Sequence, residues 1–276
     1  MNKGTLFIIG GGEDTSKDKI VLNELVSEAG GTKAKIGVIT TATEHERDVI
    51  GKYRSAFSQI GVAEIYHFDI RRAEDADEDR YSAALASLDA VLFSGGSQLR
   101  LTTILGGTSF IKKLEQRFSE GIIIAGTSAG AACLSNPMIH EGASEDSFYY
   151  GDVKVSPGFG FISNSVIDTH FEARARIGRL LQVVAINNSL LGIGIGEDTA
   201  LVIASENIAR VVGTSIVMIV DGANIINTNV DQIDYGEPIS LSNARIDVIA
   251  PGQSYDLNEK QFTRESKKKG NKFLFF

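Results

Sequence analysis

Gly126-Thr127-Ser128-Ala129-Gly130 reads G-x-S-x-G directly after the apolar run Ile122-Ile123-Ile124-Ala125. A strand that runs into a serine between small residues and then into a helix turns sharply, which lifts the hydroxyl clear of the backbone as a nucleophile. The small neighbours permit the turn and leave the N–H of Ala129 free to face a developing oxyanion. A plain Gly/Ser turn has the same five residues, so the motif needs partners elsewhere in the chain.

A serine nucleophile needs a base, normally histidine. The chain has four, His45, His67, His140 and His170. His170 is the best placed, because it closes the apolar run Val166-Ile167 inside Asp168-Thr169-His170-Phe171; an ordinary strand-end histidine is the alternative. His45 lies in a polar stretch, His67 in a short strand and His140 in a loop after Pro137. The base in turn needs an acid to hold its tautomer. Two carboxylates compete. Glu172 stands two residues after His170, and Glu197 follows Gly192-Ile193-Gly194-Ile195-Gly196. Spacing alone puts Glu172 slightly ahead.

Three arginines follow, Arg174, Arg176 and Arg179. If one helix includes them all, Ile177, Leu180, Leu181, Val184 and Ala185 form a core-facing stripe at i, i+3, i+4, i+7 and i+8. Arg176 and Arg179 then fall on the far, solvated side. Arg174 falls on the apolar edge, where a guanidinium must be paired or must meet an anion.

Two other features argue against rival chemistries. Gly10-Gly11-Gly12-Glu13-Asp14-Thr15 gives only G-x-G-x-x-T after a strand, and Glu13 and Asp14 oppose a pyrophosphate there, so no nucleotide cofactor is expected. Cys133 is the only cysteine. It excludes an intrachain disulfide and a cysteine-rich metal site, and reads as a small core residue.

The elements that must position these residues alternate strand and helix over about the first two hundred positions, the pattern of a doubly wound α/β sheet with helices on both faces. Strands are predicted at Leu6 to Ile9, Ile36 to Thr40, Glu64 to Phe68, Ala90 to Ser94 and Ile122 to Ala125. Helices are predicted at Ile20 to Ala29, Arg47 to Ile60, Arg80 to Leu88 and Thr102 to Ser119. Gly10 to Gly12, Gly95 to Gln98 and Ser128 then share the carboxyl edge of the sheet, where such folds gather their chemistry. Beyond about residue 200, short β-like runs between Asp-Gly, Tyr-Gly and Pro-Gly turns read as an antiparallel extension of the same domain. One domain spanning residues 1–276 is expected.

The formal charge of −8 over these 276 residues argues against nucleic acid as a partner and suits a cationic small substrate. Apolar runs are strand-length, and Leu6 to Ile9 is too short for a signal-peptide core, so a cytoplasmic protein without a membrane partner is expected. Lys267-Lys268-Lys269 and Lys272 precede Phe273-Leu274-Phe275-Phe276. That end reads as a solvated tail; docking on the body or on a second subunit of a homodimer stays open.

Taken together, these segments resemble the cyanophycinase family of serine peptidases, the S51 type related to aspartyl dipeptidase. Ile8 to Glu13 is similar to the family's first strand and turn, Phe93 to Gln98 to its second glycine turn, and Gly126 to Ala131 to its nucleophile turn. Asp168-Thr169-His170-Phe171 with Arg174, Arg176 and Arg179 resembles the signature D-Q-H-F-x-x-R-x-R-x-x-R, and Gly194 to Ala200 resembles the acid-bearing segment. The resemblance implies a class I glutamine amidotransferase-like (flavodoxin-like) α/β fold with a β-rich C-terminal extension. It implies Ser128 as nucleophile, His170 as base and Glu197, not Glu172, as acid, with Ala129 and Gly96 as the oxyanion hole and no metal or cofactor. Gln98, Asp168, Thr169, Arg174, Arg176 and Arg179 match the family's substrate pocket, Thr169 standing where the family has glutamine. The implied reaction is acyl transfer from a β-linked aspartyl carbonyl to Ser128 and then to water. The implied substrate is cyanophycin, a polyaspartate bearing arginine on each side chain, cut to β-Asp-Arg. Other aspartyl or isoaspartyl peptides, or a binding protein without turnover, are the alternatives.

Overall fold

The computed structural model describes residues 4–143, 147–204 and 207–263. The basic and apolar C-terminal stretch, with Lys267 to Lys269, Lys272 and Phe273 to Phe276, lies outside the described residues.

Short apolar runs become the middle of a sheet. β1 (Leu6–Ile9), β2 (Lys35–Ile39), β3 (Glu64–Phe68), β4 (Ala90–Phe93) and β5 (Ile123–Thr127) run parallel in the spatial order β1-β5-β4-β2-β3. β1, β4 and β5 are buried along their whole length, because alternate residues feed cores on opposite faces. On one face Phe7 and Ile9 meet the apolar sides of α1 (Ile20–Glu28) and α2 (Glu46–Ile60). On the other, Leu6 and Ile8 belong to a core shared with α3 (Ala73–Ala76), α4 (Asp79–Ser87), α5 (Gln98–Leu105) and α6 (Ser109–Glu120).

The single helix expected over Thr102 to Ser119 is two. Gly107, at φ 76°, ends the first, and the hydroxyl of Thr108 caps the second by accepting from Ile111 N at 3.5 Å. The break turns the chain so that α5 starts directly above the carboxyl end of β4, with Gln98 at its first position.

β5 leads into the one-turn helix α7 (Ala129–Ala132) and then into a hairpin of β6 (Met138–Glu141) and β7 (Lys154–Ser156). β8 (Ser165–Asp168), α8 (Ile177–Ile186) and β9 (Leu191–Ile195) follow. The chain then returns to the main sheet as β10 (Thr199–Ile203), antiparallel to β1, and β11 (Ile208–Gly213) pairs with β10. β14 (Ser254–Asp256) and β15 (Gln261–Phe262) complete a nine-stranded sheet on that side. β12 (Val217–Asp221) and β13 (Arg245–Ile249) are antiparallel, as expected of the extension, and join β8 and β9 in a separate four-stranded sheet. Its inner face, with Ile193, Ile195, Val217 and Ile219, shares a core with Leu201, Ile203 and Val211 of the main sheet. Its outer face carries α8 through Val166, Leu180, Val184 and Val220. The second sheet thereby brings the ends of β8 and β9 to the carboxyl edge of β1 and β5.

Candidate active site

Ser128 stands between β5 and α7 at φ 52° and ψ −114°. A side chain keeps so rare a backbone conformation only when the surroundings over-determine it. Here Ser128 N donates to Ile9 O at 3.1 Å, and Ser128 O accepts from Ala131 N at 3.0 Å and Ala132 N at 2.9 Å. The motif glycines are required by packing as well. A Cβ on Gly130 would lie 2.2 Å from Phe93 O, so α7 sits on the backbone of β4.

His170 follows β8 and places Nε2 2.9 Å from Ser128 Oγ. Its Nδ1 lies 2.6 Å from Glu197 Oε1, just past the end of β9. Glu172, favoured by spacing, is turned away and accepts from the hydroxyl of Ser215 instead. The reason is local. His170 is itself at φ 49°, and the turn after it carries Glu172 toward solvent, while the crossover through α8 and β9 returns Glu197 to the ring.

The glycine turn after β1 is the hub of the site. Gly10 O accepts from His170 N at 2.7 Å and Gly11 O accepts from Asp198 N at 2.9 Å. A Cβ on Gly11 would stand 2.4 Å from His170 Cε1, which is why the turn must be bare there. Glu13 is buried beneath it, between the hydroxyls of Tyr53 and Thr127.

A cavity of about 260 Å³ opens beside Ser128 and His170. Gly96, Ala129, Gln98, Asp168, Thr169, Arg174, Arg176 and Arg179 all reach its lining, so every residue expected in the pocket lies in one place. The orientations of the arginines are the reverse of the helical projection. Residues 171–176 form turns with Ala175 at φ 48°, and α8 begins only at Ile177, so Arg174 has no helical phase and is exposed. Arg179 is 4% exposed, facing Asp168 on β8. Its Nε lies 3.0 Å from Asp168 Oδ2, and Arg176 Nη1 lies 3.2 Å from Asp168 Oδ1.

That cluster is under electrostatic tension. Burial pushes the Asp168 carboxyl above the usual carboxylate range, opposed by the guanidinium charges of Arg179 and Arg176. Burial also lowers Arg176 and Arg179, Asp168 opposes that, and the like charge of Arg174 adds to it. The Arg179 N–H does not point along its ion pair, so Arg179 Nε and Asp168 Oδ2 lack hydrogen bonds, as does Arg176 Nε. Arg174 has no ion-pair partner among the described residues.

The far wall escaped sequence reasoning. Gln98 Nε2 donates to Ile139 O at 3.2 Å and to His140 O at 3.4 Å, and Arg179 Nη1 donates to Gly142 O at 3.0 Å. These are backbone carbonyls, which no side-chain motif announces; His140 and Glu141 themselves also line the cavity. Cys133 lies in the core, its thiol pushed up by burial and donating to Gly130 O at 3.1 Å, as a small apolar residue should. Among the described residues no three His, Cys, Asp or Glu side chains converge on a metal-sized site, and no helix is long and apolar enough to cross a membrane.

The chain is similar to known proteins over most of its length. A cyanophycinase of Synechococcus elongatus is 35% identical over 262 residues, covering 94% of this chain and 81% of the relative. A cyanophycinase of a Nostoc species is 33% identical over 259 residues, covering 94% of this chain and 87% of the relative. The crystal structure of a peptidase from an acI-B1 actinobacterium superposes with a TM-score of 0.71 at 20% identity, over 93% of this chain and 98% of that one, a likeness of fold. Residues 6–211 match the pattern of peptidase family S51, and the chain belongs to that family of peptidases.

Proposed function

We propose that this peptidase is a serine exopeptidase that degrades cyanophycin to β-Asp-Arg through an acyl-enzyme on Ser128. The observation that carries the reading is the hydrogen-bonded line from Ser128 Oγ through His170 to Glu197, 2.9 Å and 2.6 Å, at the mouth of a cavity that holds three arginines.

Glu197 accepts from Nδ1–H, which fixes the tautomer with a bare Nε2 aimed at the hydroxyl. Nε2 takes the Ser128 proton as Oγ attacks the backbone carbonyl of an aspartyl residue whose β-carboxyl carries arginine; this replaces the β-linked carbonyl of the initial expectation, because attack there would free arginine, whereas attack on the backbone leaves β-Asp-Arg whole. The oxyanion draws on the N–H groups of Ala129 and Gly96. Collapse breaks the peptide bond, and the imidazolium returns its proton to the leaving amine. Water then attacks the ester with His170 again as base, releasing the acid and restoring Ser128.

Substrate charge matches the cavity. Three guanidiniums against one buried carboxylate leave a surplus of positive charge suited to the carboxylates of an aspartyl peptide, and Arg174, without an ion-pair partner among the described residues, is placed to engage one. A second reading, cleavage of other aspartyl or isoaspartyl dipeptides, is favoured by Thr169. Its short side chain stands where the family signature has glutamine, so one contact to the polymer is changed.

Mass spectrometry of a cyanophycin digest tests both. β-Asp-Arg is the expected product, and Ser128→Ala abolishes it while leaving the circular dichroism spectrum unchanged. Intact polymer alongside cleaved isoaspartyl dipeptide favours the second reading. Full turnover by Ser128→Ala overturns the acyl-enzyme.

A further inference from the structure

Glu13 is a buried carboxylate that the acyl-transfer chemistry does not use. It is 6% exposed and has no ion pair among the described residues. Its Oε1 accepts from the phenol of Tyr53 on α2, and its Oε2 accepts from Thr127 Oγ1 at 2.6 Å. Removing a carboxylate from water without a cation is costly, and an apolar side chain of similar shape would fill the gap between β5 and α2 without that penalty. The fold alone therefore gives no reason for an acid here.

The neighbours supply one. Thr127 precedes Ser128, whose positive φ persists only while the chain on both sides is held. Ala131 N and Ala132 N hold the carbonyl of Ser128 from the helix side, and Ile9 O holds its N–H. On the strand side Thr127 closes β5 in register with Ile9, and its side chain is the point that Glu13 holds. Glu13 also terminates the turn whose Gly10 and Gly11 carbonyls hold His170 N and Asp198 N. A single carboxylate thus ties the strand that ends in the serine to the turn that seats the histidine and the segment bearing Glu197. Burial, with the Glu13 charge second, pushes the Tyr53 phenol well up, so it remains a proton donor to the acid.

We propose that Glu13, acting through Thr127, is a positioning residue that sets the Ser128 hydroxyl against the His170 ring. This rests on the reading of Ser128 as nucleophile. A hydroxyl-to-imidazole line tolerates little displacement, because a misplacement of about 1 Å costs on the order of a hundredfold in rate.

The test uses the full chain and a fluorophosphonate probe, with labelling at Ser128 located by mass spectrometry, so that no assumption about the peptide substrate enters. Thr127→Val removes the hydroxyl and keeps the shape; it is expected to slow labelling about tenfold or more. Thr127→Ser restores the donor and is expected to stay within about threefold of the parent, with KM for the cleaved peptide unchanged in both. Tyr53→Phe frees the other carboxylate oxygen from a different element and is expected to slow labelling about threefold. Rates are normalised to the folded fraction from urea titration. Labelling of Thr127→Val at the parent rate, an equal loss in Thr127→Ser, or a loss that vanishes on normalisation would overturn the proposal. Should Thr127→Val not fold, Tyr53→Phe decides alone: slowed labelling supports the tie and parent-rate labelling overturns it. A parent protein that does not label at Ser128 overturns the nucleophile reading itself, and this proposal with it.

Discussion

The two ends of the cavity are built on opposite principles. At the Ser128 end the line of side chains is bonded throughout: Oγ on Nε2, Nδ1 on Glu197, and the backbone of the three segments on the carbonyls of Ile9, Gly10 and Gly11. At the arginine end, the buried atoms Arg176 Nε, Arg179 Nε and Asp168 Oδ2 make no hydrogen bond, and Arg174 has no ion-pair partner among the described residues. Satisfied networks hold one geometry; unsatisfied buried groups are held at a cost and accept a partner when one arrives. On the proposed function, the difference teaches that the reacting atoms would be in place before substrate binds, whereas the recognition end would await the substrate's own charges. The largest test of this contrast is at the acid. Glu197→Gln keeps the shape but no longer fixes the tautomer of His170, and is expected to lower kcat about a thousandfold, close to 4 kcal/mol in the barrier. Glu172→Gln, which only loses a surface bond to Ser215, is expected to stay within about twofold. Steady-state kinetics on the two variants side by side settles the contrast, and a reversed order would mean that the acid lies two residues from the base after all.

The next effect belongs to the arginine end and is on stability. Asp168 is the only carboxylate within ion-pair distance of Arg176 and Arg179 among the described residues. Asp168→Asn leaves two largely buried guanidiniums without a counter-charge, and removal of one partner from a buried ion pair costs about 3 kcal/mol. Urea titration is expected to show the midpoint falling with an unchanged slope. A midpoint equal to that of the parent would show that the cluster contributes nothing to holding β8 against α8, and the contrast between the two ends would have to be drawn on binding alone.

The sequence made the satisfied end more legible than the unsatisfied one. Strand-to-turn motifs announce Ser128 and His170 because apolar runs and small residues are dictated by the same backbone that carries the chemistry. The acid was ambiguous, since Glu172 is near in sequence and Glu197 is near only after a helix and a strand have been crossed. The arginines were assigned to the wrong sides because the projection assumed that α8 begins before Arg174. Ala175 at positive φ delays it to Ile177, and an ion pair with Asp168 outweighs the exposure expected of Arg179. Gly106-Gly107 likewise divides a helix that periodicity alone joined, and β12 leaves the main sheet for a second one, a choice that depends on partners far away in the chain. The carbonyls of Ile139, His140 and Gly142 carry no side-chain signal at all.

The smallest effect is the one that separates recognition from chemistry. Arg174 is exposed, lines the cavity and is unpaired among the described residues, so it contributes through attraction to an incoming carboxylate that water and salt partly screen. A charge-assisted contact of this kind is worth about 1.4 kcal/mol after screening, which is tenfold in affinity. Arg174→Ala is accordingly expected to raise KM about tenfold with kcat nearly unchanged, because the Ser128 end is complete without it. Salt should act on the parent in the same direction. Raising ionic strength from about 0.01 M to 1 M shortens the screening length from about 30 Å to about 3 Å, so KM of the parent should climb toward that of the variant, and the variant's should move less. The measurement is a pair of Michaelis curves at each ionic strength. A fall in kcat instead of a rise in KM would place Arg174 with the groups that act on the transition state, and the division between a finished catalytic end and a waiting recognition end would then fail at its outermost residue.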